Sequence, residues 1–237
     1  MSVRELMFNG AAGRLEGKIS MASDVTAPAA LILHPHPLHG GTMNNKVVYR
    51  MFHSFVKTGC TVMRFNFRGV GNSEGKYDSG VGEMVDASLA LDKLISMAPE
   101  AQSYWVCGFS FGAWIALQIV MRRPEVNKFI VVSPPAHNYD FTFFACHAEG
   151  LFVHGTKDAL VPEDKVYELY EKLNKQHDSQ IEYIPISGAD HFYTGQLHQL
   201  EGGIENYITA QLHNIAPQPV VKTRRDRRRR HKEVADN

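Results

Sequence analysis

No run of apolar residues in this 237-residue chain approaches the ~20 needed to cross a bilayer as a helix. The chain therefore reads as one without a transmembrane segment. Its first residues, Met1-Ser2-Val3-Arg4-Glu5, lead into no apolar core after a basic start, which predicts the absence of a secretory signal. Cysteine is scarce, with only Cys60, Cys107 and Cys146. An odd number at wide spacing argues against a disulfide scaffold. Cys60 opens a predicted strand and Cys107 closes one, so buried free thiols in a reducing, cytoplasmic setting are expected.

Net charge is absent too, with 25 basic against 25 acidic residues, but the charge is unevenly placed. The stretch 222–232 holds eight basic residues and one acid. Without the chain from 220 onward, 17 basic residues face 22 acidic ones, a formal charge of −5. Composition alone reads 216–237 as a solvated, disordered basic tail. Its contacts would be with nucleic acid, an anionic membrane or the acidic body of another copy. A homo-oligomer is left open. The ordinary apolar fraction of 44% supplies one substantial core, assigned to a single domain over 1–215.

Apolar periodicity switches repeatedly along that domain. Two N-terminal strands are predicted near 4–9 and 13–21, joined through Asn9-Gly10-Ala11-Ala12-Gly13 by a loop longer than two residues. Strand 29–34 is followed by a helix over about 45–58 that places Val47, Val48, Met51, Phe52 and Phe55 on one face. Strand 60–66 precedes a helix over 81–97 carrying Met84, Val85, Leu89, Leu91, Leu94 and Ile95. Strand 103–108, helix 111–122, strand 128–133, strand 150–154, helix 162–176, strand 180–185 and helix 194–213 complete the pattern. Strands alternating with helices predict an α/β fold, a mostly parallel twisted sheet with helices on both faces.

One motif stands where strand gives way to helix. Ser110 lies in Gly108-Phe109-Ser110-Phe111-Gly112, after the apolar Tyr104-Trp105-Val106-Cys107 and before the helix-like Ala113–Val120 stretch. A sharp turn there forces the serine into a strained backbone region and demands small neighbours two residues either side, which Gly108 and Gly112 supply. A serine hydroxyl is a weak nucleophile near neutral pH. It needs a base in hydrogen-bond reach and a carboxylate to orient that base. Asp158 lies just past the apolar strand Gly150–His154, where a side chain can rise above the sheet. His191 lies in the loop Ser187-Gly188-Ala189-Asp190-His191-Phe192, after a strand and before a last helix. The order Ser, Asp, His suits this architecture. Asp190 adjoins His191, but adjacent residues rarely aim at one point, so Asp158 is the expected orienting acid.

With these segments in place, the chain resembles the α/β-hydrolase superfamily. Gly-Phe-Ser-Phe-Gly-Ala at 108–113, His-Gly-Thr-Lys-Asp-Ala-Leu-Val-Pro at 154–162 and Gly-Ala-Asp-His-Phe at 188–192 look like its three catalytic signatures. Arg68-Gly69-Val70-Gly71-Asn72-Ser73 looks like its loop after the fourth strand, and Ala30–Pro37 like its oxyanion strand and loop. The phrase His-Pro-His-Pro-Leu-His-Gly-Gly-Thr-Met-x-Asn at 34–45 is similar to a small bacterial subgroup near the dienelactone hydrolases, described as hydrolases or carboxylesterases. Two departures are visible. His34-Pro35 stands where His-Gly is usual, and the nucleophile position holds Ser110 rather than cysteine, so lactone activity does not carry over.

The resemblance implies a serine hydrolase acting on a small-molecule acyl substrate, a carboxylic ester or related bond, through Ser110, Asp158 and His191, with no cofactor. A peptidase, thioesterase, lactonase or acyltransferase on the same constellation, or a non-catalytic binding protein on the fold, are the alternatives. The N–H of Phe111 and one from the loop after strand 29–34 would bind the oxyanion. Pro35 and Pro37 have no N–H, which leaves His36 or Leu38, with His36 favoured by position. His34, His36 and His39 also present a metal-like cluster, but two prolines stiffen the loop and no carboxylate or cysteine stands nearby, so no metal is expected. The glycines after Arg68 lack the Gly-Lys-Ser/Thr ending of a nucleotide loop and are read as a tight turn. Residues 135–149 occupy the place of a lid and are too short to form one. Phe141, Phe143 and Phe144 are read either as walls of an open site or as core.

Overall fold

Apolar runs of strand length alternate with amphipathic helical stretches, and each becomes the element its period dictates. The computed structural model describes residues 2–141, 147–176 and 180–214. Phe143, Phe144, Cys146, the boundary at 215/216 and the basic stretch lie outside the described residues. Strands β1 (Val3–Gly10) and β2 (Gly13–Ser20) open the chain, followed by β3 (Ala29–Leu33), helix α1 (Lys46–Lys57) and β4 (Thr61–Phe65). Then come α2 (Val81–Met97), β5 (Tyr104–Phe109), α3 (Phe111–Arg122) and β6 (Val126–Val132). The chain continues through β7 (Glu149–Gly155), α4 (Glu163–Asn174), β8 (Ile181–Ile186) and α5 (Leu197–Asn214).

The eight strands form one sheet in the order β1-β2-β4-β3-β5-β6-β7-β8. Only β2 runs against its neighbours β1 and β4; every other adjacent pair is parallel. Strands buried on both faces are predominantly apolar, with Thr61 and Arg64 of β4 as exceptions. Accordingly β3 and β4 are buried throughout. Alternate residues feed two cores. Leu31, Leu33, Phe129 and Phe152 pack with α2, α3 and α4, whereas Ala30, Ile32, Trp105 and Leu151 pack with α1 and α5. Helices therefore cover both faces. Among the described residues no helix is long and apolar enough to cross a membrane. Cys60 and Cys107 are free and buried, and burial pushes both thiols up, Cys60 to about 11.

Two local expectations are corrected. The β1–β2 loop has two residues, not more: Gly10 pairs with Gly13 across Ala11 and Ala12. The backbone freedom the hairpin needs is taken at Gly13, whose φ is +130°, not at Asn9-Gly10. In α2, Val85 is exposed, while Gly82, Glu83, Asp86 and Ala87 share the buried face with Ala90, Leu91 and Leu94. Each buried acid has a partner that lies outside the helical repeat. Glu83 accepts from the Asp78 and Gly80 N–H groups at 2.9 and 2.7 Å and so caps its own helix. Asp86 forms a two-pronged ion pair with Arg68, Nε to Oδ2 at 2.6 Å and Nη2 to Oδ1 at 2.9 Å, with both side chains buried. This pair ties the loop after β4 to α2. Removing one partner strands the other charge, so Asp86→Ala is expected to lower stability by about 3 kcal/mol or more. Urea unfolding checks this; a loss below ~1 kcal/mol would mean that the Arg68 guanidinium finds water or another acceptor.

Candidate active site

The turn between β5 and α3 holds Ser110 at φ 54° and ψ −119°. This is a strained region for a residue with a Cβ, worth roughly 1–3 kcal/mol. The surroundings enforce it. The Ser110 N–H donates to the Val132 carbonyl at 2.9 Å, and its carbonyl accepts from the Ala113 N–H at 2.8 Å. A Cβ on Gly108 would lie 2.1 Å from the Gly112 carbonyl oxygen, and one on Gly112 would lie 2.4 Å from the Leu33 carbonyl oxygen. Only glycine fits at either place, as the crossing of strand and helix requires.

Asp158 and His191 reach this serine from the ends of β7 and β8. The two loops are bound to each other: the Lys157 N–H donates to the Ala189 carbonyl at 2.9 Å, and the Gly188 N–H to Thr156 Oγ1 at 2.8 Å. His191 Nδ1 lies 2.7 Å from Asp158 Oδ2, and Nε2 lies 3.1 Å from Ser110 Oγ. A carboxylate only accepts, so Nδ1 carries the proton and Nε2 is left to accept from the serine hydroxyl. The other carboxylate oxygen, Asp158 Oδ1, accepts the Leu160 and Val161 N–H groups, both at 2.9 Å. Burial opposes the charge on Asp158. The His191 hydrogen bond and charge, with the two backbone donors, outweigh it and hold the carboxyl below the usual aspartate range. Asp190 is turned to its own loop, where Oδ1 accepts from the Phe192 and Thr194 N–H groups at 3.1 and 2.9 Å.

A further residue fixes the His191 loop from beneath. Tyr193 is fully buried at φ 56°. Its hydroxyl donates to the Val153 carbonyl at 3.3 Å and takes a hydrogen bond from Ser133 Oγ at 3.0 Å. Ser133, at the end of β6, is itself at φ 46°. Neither residue was singled out from the sequence. A tyrosine in a loop carries no pattern that distinguishes an anchor from a surface side chain.

His34 does not converge with His36 and His39. It is buried beneath the loop, where Nε2 accepts the Phe67 N–H at 3.0 Å and Nδ1 donates to the Pro35 carbonyl at 2.6 Å. Burial pushes it down to about 4, so it is a neutral strut at physiological pH. Among the described residues no group of three His, Cys, Asp or Glu side chains is placed to hold a metal. The His36 carbonyl is turned into the loop and accepts from the His39 and Gly41 N–H groups at 3.1 and 3.0 Å. Its ring nitrogens are occupied too: Nδ1 accepts the Leu38 N–H at 3.2 Å, and Nε2 lies 3.1 Å from the Tyr77 hydroxyl. Among the described residues the His36 N–H and the Phe111 N–H donate to nothing. Phe111 opens α3, where the first N–H groups of a helix have no partner within it.

Ser110 and His191 open into a cleft of about 570 Å³. Its lining combines Phe111, Tyr139, Leu160 and Phe192 with His36, His39, Asn45, His137 and Asn138. Phe141 is not part of it; that ring packs in the core beside α3. The connection from β6 to β7 spans only residues 133–148, and among the described residues no lid domain covers the cleft.

An eight-stranded, mostly parallel sheet with a serine at a strained strand–helix elbow defines an α/β hydrolase. Comparison with known proteins agrees. The family model described as serine aminopeptidase, S33, matches residues 36–148. An uncharacterized protein of Rickettsia prowazekii is 50% identical over 209 residues, covering 86% of this chain and 88% of the relative. A structure of a protein of unknown function from Agrobacterium tumefaciens, assigned to the alpha/beta hydrolases, is 46% identical with a TM-score of 0.86 over 91% of this chain and 100% of that one. A lidless α/β serine hydrolase from Xanthomonas campestris is 30% identical with a TM-score of 0.80, covering 92% and 96%. The chain belongs to the α/β serine hydrolases.

Proposed function

We propose that this hydrolase cleaves carboxylic esters of small acyl substrates, with Ser110 as nucleophile, His191 as base and Asp158 as orienting acid. The observation that carries the proposal is the unbroken series from Asp158 Oδ2 through His191 to Ser110 Oγ, at 2.7 and 3.1 Å, ending in an open cleft. His191 Nε2 takes the hydroxyl proton as Oγ bonds to the ester carbonyl carbon. The oxyanion is received by the Phe111 and His36 N–H groups, pre-aimed donors of the kind that stabilise such an intermediate. The intermediate collapses, the alcohol leaves with the proton from Nε2, and Ser110 is left acylated. Water then gives its proton to Nε2 and attacks the acyl carbon. The acid departs as Oγ recovers its proton.

An ester is favoured over an aminopeptidase substrate by the lining of the cleft. A free α-ammonium group in a desolvated site needs a carboxylate opposite it, and none of the described lining residues is Asp or Glu. Labelling the purified full chain with a fluorophosphonate probe tests the proposal without knowledge of the substrate. Intact mass should show one adduct, and peptide mapping should place it on Ser110. Folded protein that takes no adduct would overturn the assignment.

A further inference from the structure

Of the described residues that line the cleft, none is Lys, Arg, Asp or Glu. Asp158, the nearest carboxylate in the described series, lies behind His191 with its side chain fully buried and both oxygens engaged. His36, the lining histidine packed on Phe111, is itself engaged. Both ring nitrogens of His36 are held, by the Leu38 N–H and the Tyr77 hydroxyl, and its ring is stacked on His39 with centroids 4.3 Å apart. Burial, and then the neighbouring His39, hold His36 below the ordinary imidazole value. The described lining is therefore made of aromatic and aliphatic side chains together with imidazole, amide and hydroxyl groups.

The aromatic side is built rather than incidental. Phe111 packs against His36 at 5.1 Å, Trp114 at 5.7 Å and Tyr139 at 6.1 Å between centroids, and Tyr139 is stacked on Trp114 at 4.4 Å. Rings locked in this way present a fixed apolar wall beside the Phe111 N–H. Leu160 and Phe192 extend it at the rim, where they are 57% and 52% exposed. Exposed apolar side chains at the mouth of a cleft are the surface a ligand would cover. A charged substituent drawn into such a site loses water and gains no counter-charge.

We infer that the cleft selects esters uncharged on both sides of the scissile bond, discriminating against carboxylate- and ammonium-bearing acyl groups alike. The inference rests on the ester assignment above and narrows it to a substrate class.

The test compares 4-nitrophenyl butyrate with 4-nitrophenyl hemisuccinate and with the 4-trimethylammonio analogue of the butyrate, all on the full chain. Assays run at about pH 8, above the ordinary imidazole pKa. Salt is held at about 0.3 M so that the acidic body's long-range field is screened. Both charged esters are expected to show kcat/KM at least about tenfold below butyrate, equivalent to ~1.4 kcal/mol. Discrimination against the anion alone would overturn the inference, because a long-range field rather than the cleft would be selecting. Rates equal to or above butyrate on either charged ester would overturn it as well, leaving the ester assignment intact. If Ser110 takes the fluorophosphonate but no ester is turned over, the ester assignment falls and the inference with it. Leu160→Lys, which places a cation on the exposed rim, should raise the hemisuccinate-to-butyrate ratio several-fold. An unchanged ratio in that variant would show that the charge of the lining does not set the preference.

Discussion

Ser110→Ala is expected to lower ester kcat/KM by on the order of 10⁴-fold or more while leaving the fold and the thermal transition nearly unchanged. The reasoning begins with the elbow. Alanine retains the Cβ and introduces no new bulk, and the backbone hydrogen bonds that force the strained turn, from Ser110 N–H to Val132 and from Ala113 N–H to residue 110, involve no side-chain atom. The strain is neither relieved nor increased. What disappears is Oγ, the proposed acceptor of the acyl group and the partner of His191 Nε2 at 3.1 Å. Residual activity should come only from water activated by His191 beside the Phe111 and His36 donors. The measurement is initial rate on an ester that wild type cleaves, with circular dichroism confirming the fold. A variant retaining more than a few per cent of wild-type turnover would sink the nucleophile assignment, because no other hydroxyl joins the described series.

The same elbow shows why so much of this site was legible. Gly108 and Gly112 are dictated by steric crowding that any strand–turn–helix serine must meet, and the backbone imposes that crowding regardless of the rest of the protein. Asp158 and His191 were placed because strand ends in a parallel sheet all open on one edge, so two loops after successive strands must meet there. The apolar stripe Val47, Val48, Met51, Phe52 and Phe55 named most of the buried face of α1 because that helix covers the sheet with apolar residues, Ser54 being the one buried polar addition.

The misses share a different cause. In α2 the buried face is set by Arg68 reaching across to Asp86, and apolar periodicity is blind to a charge neutralised by a residue outside the helix. The hairpin loop also makes a long-range contact, the Ala11 N–H donating to Asp86 Oδ1 at 3.3 Å, which the local Asn9-Gly10 signal does not contain. Tyr193 and Ser133 are joined across 60 residues of chain at 3.0 Å, with both backbones in the left-handed region. No local composition announces such a contact. The placement of residues was thus readable where geometry is forced by backbone sterics, and hidden where it depends on a pair of side chains meeting at a distance.

Asp158→Asn should reduce kcat by roughly 10³- to 10⁴-fold with little change in KM, and the structure gives a specific reason. One oxygen, Oδ1, is pinned by two donors, the Leu160 and Val161 N–H groups. In the asparagine that position must remain an oxygen, so the NH₂ group takes the place of Oδ2, 2.7 Å from His191 Nδ1. Two donors cannot face each other. His191 then shifts its proton to Nε2, which points an N–H at Ser110 Oγ and leaves no lone pair to accept the hydroxyl proton. Asp158→Ala, by contrast, leaves the tautomer free but loses both the orientation and the acceptor for two backbone N–H groups, so it should be the less stable of the two. The wild-type carboxylate contributes to stability as well as orientation. Its folded pKa lies below the unfolded value of about 3.9, so that contribution is complete above the unfolded pKa and is lost as pH falls through the lower folded value. Asp158→Asn should therefore flatten the acid limb of the stability curve as well as slow turnover. The tautomer is open to direct observation: ¹⁵N-labelled imidazole resonances should report Nδ1–H in wild type and Nε2–H in the variant. An unchanged tautomer with full activity would show that Asp158 does not orient the base.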